Sequence, residues 1–203
     1  RLVGSEMCIR DRDAVSEVPR YYVCNAYGVC GIYSAPGTAV KEAYDTSGIV
    51  TNDRGVTVWL KGNRVSRNQI MAIKEESVTE QKNSLAVCLD NILRHAGITR
   101  NTEYDLAQGK TATTILSENM TGVQVLDLSG CTLDAVLYYV NQDIPVLAIL
   151  EDGEAVLVTG FNEFNVVIME PATGKLYKKG MNDATAWFAE NGNHFITYMR
   201  TEN

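Results

Sequence analysis

The chain has 203 residues, of which 45% are hydrophobic and 21% charged, and its formal net charge is −7. That suits one medium domain, or a domain with a small appendage, with enough apolar residues for a real core. The acidic balance excludes sequence-independent nucleic-acid binding, which needs clustered Lys and Arg, and there is no apolar run of about 18 residues to span a membrane.

The opening stretch, "RLVGSEMCIRDR" (1–12), does not start with Met and has no hydrophobic periodicity. It resembles the translated sequencing-adaptor read-through found at the ends of metagenomic gene fragments, and is read as non-native. On that reading the true N-terminus, with any signal peptide or upstream domain, is missing, so compartment and oligomeric state stay open.

Residues 13–66 read as a small α+β module. "RYYVCNAYGVCGIYS" has aromatic and β-branched residues broken by glycines, which predicts a short hairpin. "PGTAVKEAYDTSG" carries Ala39, Ala43 and Tyr44 at helical spacing, with Gly48 as the stop. "IVTNDRGVTVWLKGNR" reads as strand, Asn-Asp-Arg-Gly turn and strand. Few large apolar residues lie in this module, so it is expected to lean on the C-terminal part of the chain. Residues 67–80 are a polar linker, with a brief strand expected at Gln69–Ile73 and solvated charges at Lys74, Glu75 and Glu76.

Residues 81–203 form the second unit. In "EQKNSLAVCLDNILRHAGI", Leu85, Cys88, Leu89, Ile92 and Leu93 recur at i, i+3, i+4, i+7 and i+8, an amphipathic helix capped by Asn83 or Ser84 and stopped at Gly97. Two short helices are expected in "NTEYDLAQG" and "TATTILSENM". A strand ("VQVLDLSG"), a Thr132-capped helix ("TLDAVLYYVNQ") and a buried strand ("DIPVLAIL") come after them. Then "DGEAVLVTGFNEFNVVIMEPATGK" (152–175) reads as two strands with a Pro-Gly corner, and "KLYKKG" as another strand. A helix capped by Asn182 ("NDATAWFAEN") and a last strand ("NHFITYMR") close the chain. Helices first and a mostly antiparallel sheet later read as α+β.

Few residues offer chemistry. Cys8 falls in the excluded stretch. Cys24 and Cys30 lack zinc-knuckle spacing and an accompanying Cys/His cluster, so no metal is expected, and a local disulfide is an open alternative to free thiols. Cys88 and Cys131 sit in apolar contexts, as buried small hydrophobes do. His95 lies in the last turn of its helix, where a cation suits the dipole, and His194 begins the final strand. Cys88 and His95 share a helix face but lie two turns apart, about 10 Å, too far for a hydrogen bond. Cys131, before a helix, is placed for dipole activation but has no visible base. Gly109-Lys110-Thr111 is not a P-loop, because Tyr104 stands where the motif needs glycine. Trp59 and Trp187 read as buried anchors or as groove linings. No cofactor motif is present.

From Gln81 to Arg200 the sequence resembles the bacteriocin-processing cysteine peptidases, papain-like domains that cleave double-glycine leader peptides, often at the front of ABC exporters. "NSLAVCLDNILRHAG" is similar to the family's nucleophile helix, "LDLSGCTLDAVLYYVNQDIPVLAIL" to its helix and "PVIA" strand, and "EAVLVTGFNEFNVVIMEPATGK" to its "HAVLVTGYD…VxVxDPxxGK" hairpin. The resemblance implies a papain-like α+β fold in a bacterial protein. It places Ser84 in the nucleophile slot, Glu154 in the histidine slot, Glu170 in the aspartate slot and Gln81 near the oxyanion glutamine, closer to Ser84 than the family's spacing. Serine needs a base more than cysteine does, and glutamate is a weak base unless burial raises its pKa. The implied function is therefore a non-catalytic peptidase-like domain that binds a peptide or protein segment in a retained cleft, or serves as a regulatory module. Alternatives are an active hydrolase using Ser84 or Cys131 with a buried Glu154, and a structural module of a larger envelope protein.

Overall fold

Tyr21–Cys24 (β1) and Cys30–Tyr33 (β2) form the first hairpin, clamped across its ends by a Cys24–Cys30 disulfide. The bridge closes the alternative the spacing left open. Within the loop, Asn25 Oδ1 accepts the main-chain N–H groups of Tyr27 and Val29 at 2.9 and 3.0 Å, an Asx turn that fixes its shape. The structure is a computed structural model describing residues 18–62 and 83–201. The read-through segment, the 67–80 linker with its expected strand, and Gln81 lie outside the described residues.

Next in the chain is Pro36–Thr46 (α1), with proline at the helix start where its missing N–H costs nothing. Its stop differs from the expected one. Ser47, not Gly48, takes the left-handed conformation (φ 54°), and the Gly48 N–H closes the helix end on Ala43 O at 2.7 Å. Gly48 serves close approach instead: a Cβ there would stand 2.9 Å from Cys24 O. Ile49–Asn52 (β3) and Thr57–Leu60 (β4) complete an antiparallel sheet ordered β2-β1-β3-β4. Asn52 Oδ1 holds their turn by accepting from Arg54 N and Val56 N, both at 3.0 Å.

The second unit runs Ser84–His95 (α2), Glu103–Ala107 (α3), Ala112–Asn119 (α4), Val123–Asp127 (β5), Leu133–Val140 (α5), Val146–Ile149 (β6), Ala155–Phe161 (β7), Asn165–Met169 (β8), Leu176–Gly180 (β9), Met181–Glu190 (α6) and His194–Arg200 (β10). Its six strands form one antiparallel sheet ordered β5-β10-β6-β7-β8-β9. All seven residues of β7 are buried, so both faces of this central strand are covered, and α2 and α5 both pack on it. The architecture is α+β, helices against an antiparallel sheet. The last helix differs from expectation at its start. Gly180, not Asn182, is the capping position, and no side chain caps it; the Met181 N–H is satisfied by Phe164 O at 2.7 Å.

The two units share one hydrophobic core. Val23, Ala39, Val50 and Trp59 belong to the same buried cluster as Leu126, Leu137 and Tyr139. Hydrogen bonds join them as well: Trp59 Nε1 donates to Ala135 O at 3.0 Å, and Tyr139 OH to Val58 O at 2.8 Å. Gly37 allows the helix start to lie against the β5–α5 loop, where an added Cβ would meet Ser129 O at 2.8 Å.

Candidate functional site

Asn83 begins the site. Its side-chain oxygen accepts the N–H groups of Leu85 (2.9 Å) and Ala86 (3.4 Å), so it is the cap of α2 and Ser84 is the first helical residue. The cap therefore occupies helix-terminal donors that would otherwise be free to stabilise an anion. Ser84 is half-buried, and its Oγ accepts the Ala155 N–H at 2.9 Å. This bond ties the first turn of α2 to the first residue of β7.

Glu154 ends the β6–β7 turn. Its carbonyl accepts from Leu150 N at 2.7 Å and its N–H donates to Asp152 Oδ1 at 2.9 Å, while its side chain is exposed. The backbone thus fixes where Glu154 stands. Glu170 comes directly after β8 and is also exposed. Its main chain pairs with Lys175 O and Gly174 N at 2.9 and 2.8 Å, and its carboxylate accepts from Thr173 Oγ1 at 3.3 Å. The β7–β8 register sets Leu157 opposite Met169. Glu170 thus follows the end of β8 that pairs with the start of β7, the strand Glu154 leads into.

The structure therefore brings Ser84 and Glu154 to one junction, that of α2 and β7, with Glu170 directly after the neighbouring strand β8. Among the described residues, no hydrogen bond joins Ser84 to either carboxylate, and both glutamate side chains are exposed. One turn further along α2, Cys88 is fully buried. Burial, and secondarily the Glu154 charge, push its thiol well up from its ordinary value. That places the Glu154 charge near α2 and makes Cys88 a packing residue.

The other sequence candidates lie elsewhere. Cys131 is buried and donates to Gly37 O at 3.2 Å; burial, the largest influence, pushes its thiol up to about 12, the reverse of dipole activation. His95 Nε2 lies 3.2 Å from Asp143 O, and His194 pairs in register with Ile149. Trp59 is buried, whereas Trp187 is half-buried beneath the Lys179 ammonium at 4.3 Å from its ring centre. No described group of three or more His, Cys, Asp and Glu side chains could hold a metal ion, and no described helix is long and apolar enough to cross a membrane. Sequence reasoning missed the Ser84–Ala155 link, because the donor is a main-chain group 71 residues away.

No family model matches the sequence, and no curated protein matches it either. Solved structures do. A protein assigned as a C39-like peptidase from Bacillus anthracis superposes with a TM-score of 0.56 at 12% identity, covering 68% of this chain and all of that one. A double glycine motif protease from an AMS/PCAT transporter, crystallised with its leader peptide, gives 0.44 at 16% identity, covering 66% of this chain and 94% of that one. At such identity the likeness bears on fold alone. The chain has the papain-like α+β fold of the C39-like peptidases.

Proposed function

We propose that this chain is a non-catalytic peptidase-like domain that binds a peptide or protein segment in the cleft of its papain-like fold. The observation that carries this reading is the state of Ser84. In a cysteine hydrolase the residue at this helix start attacks substrate and needs a base within hydrogen-bond reach. Here its Oγ accepts a main-chain hydrogen bond from Ala155, the cap Asn83 uses neighbouring helix-terminal donors, and Glu154, the residue before Ala155, is exposed. The same atoms that would run an acyl transfer instead fasten helix to sheet.

Two measurements test this together. Isothermal titration with extended peptides, including ones ending in double glycine, should give saturable heat, while the same peptides stay uncleaved by mass spectrometry. Absence of binding to every extended peptide would sink the binding half of the reading. Cleavage at a rate that Ser84→Ala abolishes would sink the non-catalytic half.

A further inference from the structure

β2 is an edge strand of the small sheet, ordered β2-β1-β3-β4, and the hairpin loop fixes which of its main-chain groups point off that edge. Asn25 N–H donates to Val29 O at 3.0 Å, so these two residues form a hydrogen-bonded pair. Bonded and non-bonded pairs alternate along an antiparallel ladder. Cys24–Cys30 is therefore a non-bonded pair, in keeping with its Cα separation of 4.1 Å. Val23–Gly31 is then bonded and Tyr22–Ile32 non-bonded. Residues of non-bonded pairs turn their main-chain groups away from the strand they face. The N–H and C=O of Cys30 and of Ile32 thus point off the edge, and no described residue bonds to them. Helix α1 packs chiefly over β1, one strand inward, and leaves this edge open.

The other sheet edges are guarded. β4 is bulged at Val58, whose carbonyl is taken by Tyr139 OH. In the large sheet, β9 carries Lys178 and Lys179, and β5 ends on Asp127. Charges and bulges on an edge strand keep it from pairing with another chain. β2, "CGIY", has neither, nor a proline. No Asp, Glu, Lys, Arg or His occurs between Arg20 and Lys41, in a chain of formal net charge −7. Tyr27, Val29 and Ile32 are exposed in and beside the strand. Two copies of an acidic chain repel each other, so a surface that meets its own copy has to lack charge, and this one does.

We propose that β2 pairs antiparallel with β2 of a second copy of this chain, about a two-fold axis at Gly31, joining two four-stranded sheets into one. A two-fold interface has to be self-complementary, and the outward donors and acceptors of β2 are placed symmetrically about Gly31. In this register Cys30 exchanges both main-chain bonds with Ile32 of the partner subunit, and Ile32 does the same with the partner's Cys30. Every outward group of both strands is then satisfied. Gly31 faces the partner's Gly31 as a non-bonded pair, where opposed side chains stand closest and here none intrudes. Val29 faces the partner's Tyr33, a β-branched and aromatic pair of the kind that stabilises sheets. This joint is separate from the Ser84 junction and does not depend on the peptide-binding reading.

The test is sedimentation velocity of the full chain over a concentration series, with amide hydrogen exchange followed by NMR at low and high concentration. The expected result is a reversible monomer–dimer equilibrium. On dimerisation the Cys30 and Ile32 amides should exchange at least about tenfold more slowly, as amides entering a ladder do, and the Gly31 amide, already bonded within the hairpin, should change less. Ile32→Lys sets an ammonium on each strand near the axis and should weaken association at least about tenfold. Ile32→Val keeps the edge uncharged and should stay within about threefold of wild type. Equal melting temperatures at a concentration where all are monomeric show that the variants keep the fold, and the wild-type exchange pattern decides the matter without them. A chain that stays monomeric throughout, which would leave the edge to a strand of another protein, would overturn the proposal. So would a dimer whose Cys30 and Ile32 amides are not slowed, or one as tight in folded Ile32→Lys as in wild type.

Discussion

The Ala155 N–H donates to Ser84 Oγ at 2.9 Å, joining the first residue of β7 to the first residue of α2. On the proposed reading, these residues stand where a papain-like peptidase sets its base strand against its nucleophile. The contact is a static one between a hydroxyl and the backbone. It predicts that Ser84 matters for stability. Ser84→Ala removes the acceptor from a buried strand residue and should lower unfolding free energy by about 1–3 kcal/mol, the cost of an unsatisfied main-chain donor. Urea denaturation followed by fluorescence measures it, and a stability equal to wild type would show that the bond contributes nothing.

A second prediction separates a lost base from a lost nucleophile. Glu154→His puts an imidazole where the proposed reading sets the histidine slot, while Ser84 stays a hydroxyl whose Oγ is engaged by Ala155. Removing members of a catalytic triad costs orders of magnitude in rate, and restoring one does not restore the set. The single variant should therefore hydrolyse no extended fluorogenic peptide and should take no fluorophosphonate label at Ser84. Appreciable hydrolysis by Glu154→His would refute the assignment of Ser84 as an inert position.

Much of this fold is legible in the sequence because it is encoded locally. The spacing of Leu85, Cys88, Leu89, Ile92 and Leu93 gives α2, and all but the half-buried Leu85 are buried. Thr132 caps α5 as its position before an apolar run requires. What could not be read rests on distant partners. Asn182 looks like a cap, but Phe164 O already satisfies the start of that helix, so the helix begins earlier, at Met181. Ser47 takes the left-handed turn because Gly48 is needed where Cys24 O crowds it. The Ser84 and Glu154 positions were readable only through resemblance, and the hydrogen bond that defines Ser84 needed the fold. The ring group of Tyr44, Trp59 and Tyr138, with Trp59 6.1 Å from Tyr44 and 6.2 Å from Tyr138 between ring centres, likewise comes from separate elements that no local pattern brings together.

Alkaline pH should destabilise the chain in a defined window. Burial pushes the Cys88 and Cys131 thiols up, the latter to about 12, and holds the Tyr139 phenol well above its ordinary value. A raised folded pKa means the native state keeps protons that the unfolded state gives up. The stabilising contribution is complete below the unfolded thiol pKa, about 8.5, and is lost as pH climbs towards the folded values. Each such thiol contributes a slope of about 1.4 kcal/mol per pH unit within that window. Denaturation midpoints should be flat from about pH 6 to 8 and fall steadily between about 9 and 11. Cys88→Ala/Cys131→Ala should flatten the early part of that fall, and an unchanged slope would assign it to other groups.

The disulfide gives a measure of how the first unit is held. Cys24 and Cys30 are six residues apart and both exposed, so a mild reductant can reach the bridge. Closing so short a loop stabilises by about 2 kcal/mol in the chain-entropy description. Reduction should lower the melting temperature by a few degrees without unfolding the chain, because the adjoining residues Tyr21 and Val23 remain anchored in the common core. A cooperative loss of structure on reduction at room temperature would contradict that ranking of the two contributions.

The junction between the two units should be the most sensitive point of the fold, and Tyr139 tests it. The register of β3 against β4 passes from Val50 opposite Trp59 to Thr51 opposite Thr57, which leaves Val58 as the extra residue of a bulge. Its carbonyl accepts instead from the fully buried Tyr139 OH at 2.8 Å, and the neighbouring Trp59 indole donates to Ala135 O. The bulge and helix α5 thus satisfy each other's buried polar groups. Tyr139→Phe keeps the ring and its packing but strands the Val58 carbonyl, at a cost of about 1–3 kcal/mol. If the units depend on this junction, both should melt together in that variant, with the Trp59 and Trp187 environments changing in one transition. Two separated transitions, with the Trp187 half unaffected by the substitution, would show instead that residues 13–66 fold as an independent domain.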